Sequence, residues 1–245
     1  MKHRLLIFLL ALGVSVTTQA QTVDDILAKY VVNIGGAEKW KALKSFTQKG
    51  KAAFGTQEFP FTYYGKPVNK VKIVVDVQGM QIIPQCYDGT TAWMLNPMQG
   101  GKDPVKLDEE QSKEIKDETF EDPLLDYKAK GHEVTLMGSE EVDGVKCFKV
   151  QMIKNKNNDR DDITEIYFFD SENYVPIMKI TYMRTGPAKG QELKSYYSDY
   201  QEVNGLMFPF SVEQKMNGQT VSKLTFQSIT LNDVNDDSIF EYPKK

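Results

Sequence analysis

Residues 70–95, KVKIVVDVQGMQIIPQCYDGTTAWML, decide the fold. Val71, Ile73, Val75 and Val77 alternate with Lys72, Val74 and Asp76, a period of two that gives a strand one strongly apolar face. Gly79 turns the chain, a second run of similar length reaches Tyr87, and Asp88-Gly89 turns it again into Trp93 and Met94. Short runs joined by tight turns read as an antiparallel meander. The mixed face opposite the valines fits a sheet that is partly exposed on one side.

Outward from this stretch the same pattern repeats. Strand-like runs at 45–54 and 58–64 precede it, punctuated by Gly55 and Gly65-Lys66-Pro67. Seven more follow, at 133–141, 146–154, 162–170, 176–184, 192–200, 207–215 and 220–230. Asp143-Gly144 and Asn217-Gly218 mark hairpin turns, and 155–161 reads as a polar hairpin tip. About a dozen strands without βαβ alternation predict a mainly β chain, one large curved antiparallel sheet or incomplete barrel. So many short strands in one flat sheet would splay, so strong coiling is expected.

Helical spacing appears in two places only. Thr22 and Asp25 form a capping-box pattern, after which Val23, Ile26, Leu27, Tyr30, Val31 and Ile34 recur until Gly35-Gly36. A short helix carrying Trp40 follows at 37–43. Between the two halves of the strand array, after a loop at 96–101, residues 108–120 read as a polar helix with Ile115 and Phe120 among its few apolar positions. A second helix is expected to start at Pro123 and to carry Leu124, Leu125 and Tyr127. The N-terminal helix is expected to plug the concave face and the inserted helices to cover it.

The first twenty residues, MKHRLLIFLLALGVSVTTQA, combine a basic tip, an apolar run and a small-residue ending, the pattern of a secretory signal peptide cleaved after Ala20. Its apolar run is shorter than the roughly 20 residues a membrane-spanning helix needs, and no later stretch approaches that length. The expected mature chain is a single domain, 21–245, located in the periplasm, with no transmembrane segment and no cysteine near the cleavage point to take a lipid. The formal net charge is −4, and −6 once Lys2 and Arg4 leave with the signal. No basic stripe tracks a phosphate backbone, which argues against nucleic acid as a partner. The two cysteines, Cys86 and Cys147, each lie in a strand-like run. They read either as two buried free thiols or as one disulfide.

Catalytic patterns are missing. The one histidine after the signal, His132, has no G-x-S-x-G or H-E-x-x-H context and reads as a surface or hairpin residue. Acidic groups at 159–162 and 233–237 match no calcium loop and read as solvated turns. The strand aromatics and nine methionines suit core packing, while the methionines also suit a pliable lipid-sized cavity. No enzyme activity, metal or cofactor is expected.

TVDDILAKYVVNIGG at 22–36, YDGTTAWMLNP at 87–97, YFFDSENYVPIMKI at 167–180, YSDYQEVNGLMFPFSVEQ at 197–214 and LNDVNDDSIFEYP at 231–243 carry, in that order, a resemblance. The chain resembles the periplasmic lipoprotein-sorting carriers, the LolA/LolB-like proteins, in the divergent form found among secreted proteins of Bacteroidetes. The resemblance implies an incomplete antiparallel barrel of about eleven strands wrapped over helices, with an apolar cavity for acyl chains. It also implies an arginine inside the cavity that holds the helical lid. Here the only arginines beyond the signal are Arg160, in the polar hairpin tip, and Arg184, at a strand end, and neither registers with that position.

The expected function is therefore binding, and transport, of lipid or lipoprotein acyl chains in the periplasm, with an inner- or outer-membrane protein as handover partner. The alternative is a non-transporting envelope sensor or protein-binding module of the same fold. The residues expected to line the cavity are Val71, Ile73, Val75, Met80, Ile82, Met94, Tyr167 and Met178.

Overall fold

The computed structural model describes residues 21–99, 102–154 and 162–243. The expected signal peptide and the hairpin tip at 155–161 lie outside the described residues. Helix α1 spans Val23–Asn33, where Thr22 and Asp25 cap each other: the Asp25 amide donates to Thr22 Oγ1, and the Thr22 amide to Asp25 Oδ2. Ile26, Leu27 and Tyr30 face inward from α1 and Val32 faces solvent, the one-sided burial its spacing predicts. The helix stops at Gly35, whose φ of +107° and whose pressed contact with Gly205 leave no room for a side chain: a Cβ would meet the Gly205 carbonyl oxygen at 2.1 Å. Helix α2, Ala37–Lys41, follows, and the Trp40 indole donates back to the Ile34 carbonyl.

The strands are β1 (Phe46–Phe54), β2 (Gln57–Lys66), β3 (Lys70–Val77), β4 (Met80–Tyr87), β5 (Ala92–Leu95), β6 (Val105–Lys106), β7 (Glu133–Val142), β8 (Val145–Lys154), β9 (Ile163–Asp170), β10 (Pro176–Tyr182), β11 (Glu192–Val203), β12 (Leu206–Met216) and β13 (Gln219–Leu231). They form one 13-stranded antiparallel sheet in the order β6-β5-β4-β3-β2-β1-β13-β12-β11-β10-β9-β8-β7. Twelve of these follow the predicted runs. The two-residue β6 is the addition, too short to show a period. The last strand pairs with the first along Phe46↔Leu231 to Ala53↔Lys223, so two meanders are welded edge to edge. Asp143-Gly144 and Asn217-Gly218 both take positive φ, as two-residue hairpin turns require.

Because each meander ends at an opposite sheet edge, the chain between β6 and β7 must cross the whole curved face. Helix α3 (Glu109–Asp117) makes the first part of that crossing, capped reciprocally by Asp108 and Gln111. The second helix expected from Pro123 does not form. Residues 123–131 are a series of hydrogen-bonded turns, Asp122 Oδ1 accepts from the Leu124 amide, and Asp126 takes a φ of +51° that a continuous helix excludes. Leu124 and Leu125 are nonetheless buried, against Ile26, Leu27, Tyr30, Val150 and Phe169.

A strap closes the outer face. Residues 233–243 run back over β3 to β5, Phe240 is fully buried, and its carbonyl accepts from the Trp93 indole at 2.9 Å. Lys66 and Lys70 both bond Asp237. Elsewhere on that face the ammonium groups of Lys149 and Lys215 lie over the rings of Phe168 and Tyr196. The cysteines are free and buried in separate clusters, Cys86 beside Trp93 and Phe240, Cys147 beside Phe168 and Met178. Burial pushes the Cys86 thiol up to about 12 and the Cys147 thiol up to about 11. Of the two readings the sequence left open, the structure has the free thiols.

Candidate ligand cavity beneath the bridging helix

The bridging segment is held on both walls. On the first meander, Ile115 of α3 packs with Val71, Tyr87 and Ala92, and Phe120 stacks on Phe46 at 5.5 Å. On the second, Glu114 Oε1 accepts from the Arg184 amide, the Thr185 amide and the Thr185 hydroxyl, all within 2.9 Å. The Arg184 guanidinium also pairs with Asp117 and donates to the Lys113 carbonyl. Arg184 thus fastens α3 across the sheet, a role that its place at a strand end did not reveal.

Beneath this clamp lies a cavity of about 410 Å³, bounded by α3, the turn at Pro123 and strands β8 to β12. Strand alternation explains its lining. Tyr167 pairs with Lys179, Lys179 with Ser195, and Ser195 with Gln214, one cross-strand row on one face. Glu165, two residues before Tyr167, shares that face and is the hub: its carboxylate accepts from the Lys154 ammonium at 2.7 Å and from the Tyr167 hydroxyl. Burial alone would push the Glu165 carboxyl up, but Lys179 and Lys154 outweigh it and hold the group below the usual range. Burial likewise opposes the charge on Lys179, and the acidic groups around it, Tyr197, Glu165, Glu118 and Asp122, hold its pKa high. Deeper still, Tyr30 of α1 donates to Asp122, whose carboxyl burial pushes up.

A second hollow of about 360 Å³ opens on the same face of the first meander, lined by Phe54, Phe59, Val75, Val77, Ile82 and Pro84 with Met98 beside them. Unlike the first it is lined by no charged side chain among the described residues. The row Val212–Leu224–Ala52–Phe59, paired strand by strand, forms the floor between the two.

The eight predicted lining residues divide accordingly. Val71, Ile73, Val75 and Ile82 share the helix-covered face: Val71 is buried under Ile115 with Ile73 packed beside it, and Val75 and Ile82 line the apolar hollow. Met80, opposite Val77, is exposed at the hairpin, and Met94 is partly buried near the β6 edge. Tyr167 lines the charged cavity. Met178 pairs with Phe168 and shares its outer face, where it packs with Val142 and Cys147, so it and the cavity-lining Lys179 point to opposite sides of β10. Sequence reading missed Lys154, Glu165, Lys179 and Arg184. The available signal was a charge at inward parity, Glu165 two positions from Tyr167.

Among the described residues no group of three or more His, Cys, Asp or Glu side chains is placed to hold a metal, and no helix is long and apolar enough to cross a membrane. No protein-family model and no curated protein sequence matches the chain. Solved structures do match in shape. A LolA superfamily protein from Nitrosomonas europaea superposes with a TM-score of 0.57 at 15% identity, over 91% of this chain and 98% of that one. The two chains share a fold. A DUF1329 family protein from Desulfovibrio piger gives 0.57 at 13% identity over 90% and 98% of the two chains. A domain described as an outer membrane lipoprotein-sorting protein, from Vibrio parahaemolyticus, gives 0.56 at 10% identity over 88% and 94%. At such identities the likeness is one of fold alone, and it does not reach a Bacteroidetes-type subgroup.

Proposed function

We propose that this protein binds lipid or lipoprotein acyl chains in the periplasm and carries them between membranes, in the manner of outer membrane lipoprotein sorting. The observation that carries the reading is the apolar hollow lined by Phe59, Val75, Val77 and Ile82, on the sheet face that α3 bridges. Each CH2 removed from water contributes about 0.8 kcal/mol, so even one partly covered chain is held firmly there. Release requires the hollow to be uncovered or refilled. Helix α3, held by Arg184 on one side and packed through Ile115 on the other, borders the charged cavity beside the hollow and is the element whose displacement opens that face. An inner- or outer-membrane protein is the natural partner for handover, and no chemistry beyond binding is required.

A second reading, a non-transporting envelope sensor or protein-binding module, is favoured by one observation: Phe54, Met80 and Met98 are all exposed. Photocrosslinking separates the two. A phospholipid with a photoactivatable acyl chain is expected to label Val75, Ile82 and neighbours on the covered face. Label on the outer face around Met178, or none at all, contradicts the acyl-chain reading.

A further inference from the structure

One cation in the charged cavity stands apart from the others. Lys154 has Glu165 at 2.7 Å and Arg184 has Asp117, whereas Lys179 comes no nearer to a carboxylate than 3.8 Å, from Glu165, and makes no hydrogen bond among the described residues. Glu165, which accepts from Lys154 and Tyr167, reaches Lys179 only as an ion pair beyond hydrogen-bond distance. The Lys179 side chain keeps a quarter of its surface exposed while lining the cavity. An ammonium carries three donors and no acceptor, and donors in a half-dehydrated site call for an acceptor from elsewhere.

The neighbours of Lys179 are donors too. Ser195 sits directly across the strand pair from it, Tyr197 lies two residues further along the same face, and both hydroxyls line the cavity without a hydrogen bond among the described residues. The carboxylates around them have other partners: Glu114 is taken by the Arg184 and Thr185 groups, Asp117 by the Arg184 guanidinium, and Glu118 by the Gln85 amide at 3.3 Å. The cavity therefore has one seat rich in donors. Towards the strand ends its lining gains apolar side chains, Ile163 at the start of β9, Met183 just past β10 and Leu193 near the start of β11, beside Lys154 and Arg184.

We propose that Lys179, with Ser195 and Tyr197, receives the ionised carboxylate of a long-chain fatty acid, whose hydrocarbon tail runs outward past Leu193 and Met183 to the cavity mouth. This rests on the acyl-chain reading above and specifies a charged end and an orientation for one ligand of that class. A monoanion suits the seat better than a phosphate monoester. A phosphate brings roughly −1.5 to −2 at neutral pH, and Glu165 beside the seat, with Glu114, Asp117 and Glu118 across the cavity, repels the additional charge.

The test uses the mature protein, stripped of lipid, in calorimetric titrations at neutral pH with dodecanoate, methyl dodecanoate and dodecyl phosphate. The acid is expected to bind at least about ten-fold more tightly than its ester, equivalent to ~1.4 kcal/mol, and more tightly than the phosphate. Lys179→Met is expected to abolish the acid's advantage over the ester, the loss for the acid exceeding any change for the ester. If that variant fails to fold by circular dichroism, Tyr197→Phe replaces it, with a several-fold loss for the acid alone. Equal affinity of wild-type protein for acid and ester overturns the carboxylate seat while leaving acyl-chain binding standing. Binding of none of the three probes overturns both. An acid preference that survives Lys179→Met, or tighter binding of the phosphate, overturns the assignment to Lys179 or the preference for a monoanion.

Discussion

Replacing Glu165 by Gln changes one oxygen of a side chain for an amide and keeps its volume, so it isolates the charge at the centre of the cavity wall. In the native protein the Glu165 and Lys154 side chains are 6% and 9% exposed and 2.7 Å apart, and Lys179 stands 3.8 Å away. The variant leaves the buried Lys154 ammonium and the partly exposed Lys179 ammonium facing a neutral amide. Breaking such a buried pair from one side costs about 3–5 kcal/mol. In a domain of this size each kcal/mol moves the melting temperature by about 2–4 °C, so a fall on the order of 10 °C is expected. Urea unfolding followed by circular dichroism measures it as a lower midpoint at unchanged slope. The double variant Lys154→Met/Glu165→Leu removes both charges of the pair and is expected to recover most of the loss. The sign with pH is fixed as well. The Glu165 carboxyl is held below its ordinary value of 4.5, so its stabilisation is present above that value and is lost as pH falls through the lower folded one. The gap between wild type and variant should therefore narrow on acidification below 4.5. A loss under about 1 kcal/mol, the worth of an exposed ion pair, would refute the picture of a dry, charge-dependent wall.

Four further outcomes follow from other parts of the molecule. Arg184→Ala removes the guanidinium's bond to Asp117 and is expected to speed amide exchange across Glu109–Asp117 while strands β11 to β13 exchange as before. Phe240→Ala empties a fully buried site between Trp93 and Cys86, with an expected loss of about 3–5 kcal/mol in urea unfolding. Hydrogen bonds from Lys66 and Lys70 hold the Asp237 carboxyl at about 2, so its part in the strap's attachment is complete above the ordinary 3.8 and is lost as pH falls towards 2; with Phe240 still buried, limited proteolysis by an acid protease should show faster cleavage around Asp237 over that interval, without release of the whole strap. Gly35→Ala forces a Cβ onto the Gly205 carbonyl at a φ of +107° and is expected to be poorly folded, read as loss of the native thermal transition.

Strand periodicity made most of the sheet legible. Val71 to Val77 face as their alternation predicts, and the hairpins at Asp143-Gly144 and Asn217-Gly218 fix their registers locally. The weld of β1 to β13 was not legible, because that pairing is set by the closure of two meanders and no turn joins the strands. Leu124 and Leu125 were recognised as apolar but placed on a helix, since Asp126 and the Asp122 cap act through backbone geometry that hydropathy does not encode. In the site, parity failed at β10. Met178 looks inward by hydropathy, yet the outer face there is itself buried by Val142, Cys147 and Phe168, and Lys179 is the residue facing the cavity. For a lysine in a strand, only the cross-strand partner tells whether the ammonium meets solvent or Glu165.

The central claim, acyl-chain binding on the face that α3 bridges, is tested most directly by native mass spectrometry of the mature protein purified gently from its own cell envelope, with extraction and analysis of whatever accompanies it. The account predicts a lipid or acylated protein bound in stoichiometric amount and lost on delipidation. A protein that emerges empty and then refuses added fatty acids and phospholipids would contradict it.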